Sequence, residues 1–194
     1  MRPVPIESDD AGELPRQRVR ELREACANPG LFRAFYDAAL PRVYGYLLDR
    51  CGGDPAVAEE LTQETFIAVV RDRERFDGRS DVVTWVTAIG RHKLADHFRH
   101  LDREERRRLR LTVRELSTGR DAAPWEAVEV REAVVGSLAG LPAAQRAVLL
   151  LHYADGLPVR EVADLLGRSE SATESLMTRA REGFRSRYEG HERG

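Results

Sequence analysis

Cysteine is scarce in this chain: Cys26 and Cys51 are the only two in 194 residues, and neither belongs to a CxxC or a Cys/His cluster. That excludes a disulfide framework and a structural zinc site, and it predicts a cytoplasmic chain. No apolar run approaches the roughly 18 to 20 residues that span a bilayer, so no membrane insertion is expected. The opening stretch, MRPVPIESDDAGELPRQRVRELREA, has no apolar core of the kind a secretory signal needs. Aromatic residues make up only 7%, which argues against a β-sandwich. Lysine is nearly missing too. Of 31 basic residues only Lys93 is lysine, a bias that reads as genome composition rather than arginine-specific chemistry.

Charge, by contrast, is plentiful at 33% of residues, and the mean hydropathy is -0.48. The net charge of -2 hides a division along the chain. Residues 29–78 carry 6 basic and 9 acidic side chains, whereas residues 79–110 carry 9 and 5, with His92, His97 and His100 in addition. One surface therefore suits an anionic partner and its neighbour a different one.

The apolar periodicity predicts an all-α protein of two small helical domains joined by a flexible linker. Residues 1–15, with three prolines among polar residues, read as disordered, and a short helix over 16–27 stops at Asn28-Pro29-Gly30. A helix follows from Leu31 to Gly52-Gly53. Asp54 and Pro55 then offer an N-cap and first-turn pair for a helix reaching about Arg75. Ser80 is the next expected cap, opening a long helix through Trp85 into the basic run. Periodicity fades over residues 111–130, and four helices are expected over 132–139, 142–153, 158–166 and 170–187. The resulting division is 1–28 extension, 29–101 first domain, 102–131 linker, 132–188 second domain and 189–194 tail.

Three segments carry chemistry. In AVAEELTQETFIAVV, Glu60, Gln63, Glu64 and Ile67 fall at i, i+3, i+4 and i+7 and share one helix face. That face can dock a basic partner or simply be solvated. In the segment from Arg79 to Arg110, Val86, Ile89, Leu94 and Phe98 can pack inward while Arg91, Lys93, Arg99 and Arg103 reach phosphates, with Trp85 packing or stacking. The same helix holds His92, Asp96, His97 and His100, whose spacing also permits a metal site. In LPVREVADLLGRSESATESLMTRAREGF, a Gly-containing three-residue turn separates two short amphipathic helices, the helix-turn-helix arrangement. Its second helix buries Thr173, Leu176, Met177, Ala180 and Phe184. It opens Ser171, Glu174, Ser175 and Thr178, with Arg168, Arg179 and Arg181 near phosphates. A plain helical hairpin fits the same spacing.

Taken together, ELTQETFIAVV, then FDGRS with TWVTAIGRHKLADHFR, then LPAAQRAVLLLHYADGLPVREVADLLGRSESATESLMTRAR resemble a bacterial RNA polymerase sigma factor of the extracytoplasmic-function (ECF) group, in the sigma-70 family. The likeness covers about residues 30–101 and 133–188. It implies a promoter-specificity subunit with no catalysis and no cofactor. The helix bearing Glu60, Gln63, Glu64 and Ile67 would dock on the clamp of the polymerase's large subunit. Arg79, Ser80, Trp85, Arg91, His92, Lys93, Asp96 and Arg99 would meet the -10 element, where one base leaves the stack for a protein pocket. Arg168, Ser169, Ser171, Glu174, Ser175, Thr178, Arg179 and Arg181 would meet the -35 element of promoter DNA. An anti-sigma factor would be a further partner.

The chain also departs from the family. His92 stands where asparagine is frequent, Glu174 where a basic residue is frequent, and Leu176 where arginine is common. Two rival readings go with the residues: a polymerase-independent helix-turn-helix regulator, and a small all-α metalloprotein built on His92, Asp96, His97 and His100.

Overall fold

In the computed structural model, residues 10–111 and 126–191 are described, with side chains over 13–109 and 133–190. The expected linker core and the first nine residues lie outside them. Among the described residues there are helices and turns and no strand. None of their helices is long and apolar enough to cross a membrane. The chain forms two compact units, Met1–Lys93 and Leu94–Gly194, so the division falls inside one helix.

The first unit begins with α1 (Asp10–Ala27), which contains Pro15. The stretch 10–15, expected as disordered, is therefore helical: Leu22 and Ala25 are buried further along the same helix and anchor it. α2 (Pro29–Arg50) starts where α1 stops, because the Asn28 side chain accepts from the Gly30 and Leu31 amides at 2.9 and 3.2 Å. Asn-Pro-Gly is thus both a stop and a cap. Pro41 sits inside α2 at an exposed position, where it removes one amide donor from the helix.

α3 (Pro55–Asp72) opens as expected, with the Asp54 carboxylate accepting from Ala56 and Val57. It runs into a 3-10 turn over Arg73–Arg75. Ala39, Val43 and Leu47 of α2 and Ala58, Leu61, Phe66, Ala68 and Val69 of α3 are buried. Two buried threonines satisfy themselves within α3, Thr62 on the Ala58 carbonyl and Thr65 on the Leu61 carbonyl, both at 2.6 Å. α4 (Val82–Leu111) comes close at Gly90, where an added Cβ would lie 3.4 Å from Thr65 Oγ1 and 3.8 Å from Leu47 Cδ2. Its cap is Asp81, whose carboxylate accepts from Val83 N at 2.9 Å, not Ser80 as the sequence reading had it. Aspartate one residue later reaches the first free amides better than serine placed a residue too early.

The second unit holds the rest of α4 with α5 (Glu126–Ala139), α6 (Ala143–Leu149), α7 (Val159–Leu166) and α8 (Glu170–His191). Leu141, Ala147, Val148, Leu151, Val162, Leu166, Met177 and Ala180 form its core. The helix expected to reach Tyr153 widens into a π turn at Leu150–Ala154. The Asp155 amide bonds Leu150 O at 3.1 Å, so one extra residue is accommodated. Leu150 and Leu151 stay buried and Tyr153 is left exposed.

Cys26 and Cys51 form no disulfide, and both are partly exposed. Burial pushes the Cys26 thiol up, with Arg73 pulling weakly the other way. Less thiolate at neutral pH means slower chemistry. Iodoacetamide at pH 7.5 should modify Cys26 several-fold more slowly than it modifies glutathione, followed by mass spectrometry of the peptide. Modification as fast as glutathione would contradict the partly covered placement of this thiol.

Candidate functional site

The rotation of α3 is fixed by seven buried residues, Ala58, Leu61, Thr62, Thr65, Phe66, Ala68 and Val69. What remains outside is the face the spacing singled out: Glu60, Gln63, Glu64 and Ile67 are all exposed. Ile67 is 67% exposed, an isoleucine among carboxylates and an amide. It closes the C-terminal end of the set, where an exposed aliphatic side chain can add apolar contact to the polar groups before it. Lys93 Nζ lies 3.1 Å from the Glu64 carboxylate, so the single lysine ties this face to α4. Nearby, Asp72 is held below the usual carboxylate range by its hydrogen bond from Arg71, with smaller contributions from Arg75 and Lys93.

The loop before α4 is preformed. Phe76 is buried and packs on Trp85, ring centroids 5.2 Å apart. Trp85 is thus a half-buried support rather than a free stacking surface. The Arg79 amide donates to the Asp77 carboxylate at 3.0 Å, closing an Asx turn. The Arg79 side chain itself is 85% exposed, its Nε 3.4 Å from Asp77.

Along α4, positions 85, 92, 96 and 99 recur at helical spacing and share one side, with Arg91 and Lys93 on its flanks. His92 and Asp96 are exposed, while Arg91 and Arg99 are partly buried. Asp96 forms an ion pair with Arg99, and His97 packs edge-on against Phe98. Among the described residues no three His, Cys, Asp or Glu side chains gather as a metal set. Val86, Leu94 and Phe98 face inward as expected, whereas Ile89 is only partly covered.

In the second unit the turn between α7 and α8 has the geometry its glycine foretold. Gly167 takes the left-handed conformation (φ 62°, ψ 40°), and the Arg168 amide reaches back to Ala163 O at 2.9 Å. Ser169 Oγ then accepts from the Ala172 amide at 3.2 Å. Thr173, Leu176, Met177 and Ala180 are buried, and Phe184 is partly so. This rotation exposes Ser171, Glu174, Ser175, Thr178, Arg179 and Arg181 together. Leu176 belongs to the core and takes no part in the open face.

The sequence reading missed three partners within this unit. Arg168 donates to Asp102 at 2.8 Å, with both side chains largely covered. The Glu105 carboxylate accepts from the Ala143 amide at 3.0 Å, and the Arg146 guanidinium lies over the Phe98 ring at 5.5 Å. Nothing local marks these pairs, because their members are 38 to 66 residues apart or unremarkable in pattern. Arg160, exposed near the start of α7, was also passed over.

Residues 35–104 match the family described as Sigma-70 region 2, and residues 131–182 match Sigma-70, region 4. The chain is 36% identical over 163 residues to the ECF RNA polymerase sigma factor SigC of Mycobacterium tuberculosis, covering 83% of this chain and 85% of that one. It is 31% identical over 179 residues to the ECF sigma factor BldN of Streptomyces coelicolor, covering 88% of this chain and 66% of the relative's length. Among solved structures, the sigma factor RpoE bound to the anti-sigma factor NepR from Bartonella quintana superposes with a TM-score of 0.51 at 19% identity. The match covers 81% of this chain and 96% of that one, a likeness of fold. Two regions in this order leave neither the independent regulator nor the metalloprotein favoured. With both regions matched in this order and a relative 36% identical over most of its length, the chain belongs to the extracytoplasmic-function group of the sigma-70 family of RNA polymerase sigma factors.

Proposed function

We propose that the three surfaces divide the work of this sigma factor. Glu60, Gln63, Glu64 and Ile67 dock on the large-subunit clamp of core polymerase. Residues 29–101 form the -10 module: Arg79, Ser80, Trp85, Arg91, His92, Lys93, Asp96 and Arg99 meet the -10 element as it opens. Residues 132–188 form the -35 module, in which Ser171, Glu174, Ser175 and Thr178 read base edges while Arg168, Ser169, Arg179 and Arg181 hold phosphates. The observation that carries the docking role is Ile67, exposed beside Glu60, Gln63 and Glu64 on a helix whose other large apolar residues are buried or partly buried.

The second unit has little surplus charge, since residues 141–194 carry 8 basic and 8 acidic side chains. Weak phosphate attraction makes independent DNA binding weak. Tethering two such modules to one polymerase restores affinity through effective concentration. Glu174 in the reading face favours the amino group of cytosine over a phosphate, so the -35 preference is this chain's own. The factor carries out no reaction itself, works in the cytoplasm with polymerase, and takes an anti-sigma factor as its inhibitor, the class of partner with which the Bartonella protein was solved.

Run-off transcription of genomic fragments with sigma-free core, with and without this protein, tests the reading. Mapped RNA 5′ ends sharing elements near -10 and -35 are the expected result. If folded protein and core from the same organism yield no new starts, the proposed function is wrong.

A further inference from the structure

α1 precedes both matched segments, the first of which begins at residue 35, yet it is bonded to the loop assigned to the -10 element. Pro15, Arg18 and Leu22 lie on one side of α1 by helical spacing. This side runs antiparallel along residues 73–78. Arg23 pairs with Glu74 at 2.5 Å. Further on, Arg18 Nη1 donates to the Gly78 carbonyl at 3.3 Å. At the end, the Pro15 backbone sits so close that a Cβ on Gly78 would overlap its carbonyl group. Gly78 is buried with φ +75°, so glycine is required there twice: for the left-handed backbone and for the approach of α1.

The loop is therefore held from two sides. Phe76 pins it inward against Trp85, and α1 covers Gly78 from outside. Between these anchors Asp77 and Arg79 stay exposed in their Asx turn. The Arg18 bond is to a carbonyl in the middle of the loop, which no core packing explains. The Arg23–Glu74 pair is half-exposed on both sides and by itself weak.

We propose that α1 is a positioning element for promoter opening, with Arg18 fixing loop residues 76–80 in the shape that accepts the unstacked -10 base. The inference rests on the assignment of this loop to the -10 element. A loop fixed before contact loses no ordering entropy when the base arrives, so the gain appears as faster opening and sharper base choice. Arg18 acts through Gly78 and touches no DNA in this account.

The test uses full-length protein with core polymerase and a fragment carrying a mapped promoter, with 2-aminopurine in the -10 element to report unstacking. Single base changes in that element measure discrimination. Arg18→Ala should slow the fluorescence rise and reduce discrimination about five-fold, with core affinity and melting temperature unchanged. Arg18→Lys, which keeps a donor, should recover part of the loss. Gly78→Ala, which forces α1 off the loop and strains the left-handed backbone, should lose discrimination together with stability. The inference fails if Arg18→Ala discriminates like the parent while Arg79→Ala does not. It fails equally if Arg18→Ala loses thermal stability and core affinity in step with discrimination, the mark of a merely structural role. If neither Arg79→Ala nor Ser80→Ala changes base choice, the loop assignment falls and the inference with it.

Discussion

Ile67→Glu should weaken binding to core polymerase by about thirty-fold or more, equivalent to about 2 kcal/mol, while leaving the fold intact. The magnitude follows from position. Ile67 is the large apolar side chain of the α3 face, 67% exposed in the free protein. Central apolar anchors dominate binding energy, and polar residues around them contribute less each. Glutamate is a good helix former, and little of the isoleucine is buried in this chain, so stability should move by no more than about 0.5 kcal/mol. Glu60→Ala with Gln63→Ala should give a smaller loss, with a shallower salt dependence of association, because that pair steers more than it anchors. Competition against labelled parent protein measures both variants. Should Ile67→Glu compete like the parent, the docking face is elsewhere.

Met177→Ala should cost the second unit about 2–5 kcal/mol. Met177 is 2% exposed on the inner side of α8, beside Thr173 and Ala180, which are fully covered. Truncation leaves a cavity where α8 meets α6 and α7. At roughly 0.05–0.15 kcal/mol per residue, a domain this small holds only a few kcal/mol in total. Urea unfolding followed by circular dichroism should therefore show early loss of part of the helix signal, and -35-dependent transcription should disappear. Ser175→Ala, two residues away on the open face, should leave the unfolding curve within about 0.5 kcal/mol of the parent and alter only promoter choice. An unfolding curve for Met177→Ala that matches the parent would mean that α8 is not packed as described.

How much of this was legible in the sequence depends on the range of the interaction. Asp54-Pro55 and Gly167-Arg168-Ser169 act on amides two to five residues away, so their caps and turn could be read from residue type alone. The faces of α3 and α8 were equally readable, because burial on one side of a helix dictates exposure on the other. The errors also have local causes. Ser80 and Asp81 both suit a cap, and only the geometry of the chain entering α4 decides between them. Three prolines before residue 16 resemble a disordered tail, but the helix tolerates Pro15 and starts at Asp10. The π turn at Leu150–Ala154 has no sequence mark, since one extra residue in a helical turn leaves Leu150 and Leu151 as buried as an ordinary helix would. Asp102 with Arg168, and Arg18 with Gly78, are separated by 66 and 60 residues, and no periodicity connects them.

The single lysine has a practical consequence. Apart from the chain's N-terminus, Lys93 is the sole primary amine, and it sits where α3 meets α4, three-quarters covered and bonded to Glu64. Acylating reagents and amine-directed cross-linkers have one internal address on this protein, between the surface proposed to meet the enzyme and the surface proposed to meet the template. A fluorophore or tether placed there reports on both at once, and attaching it also neutralises the charge that holds Glu64.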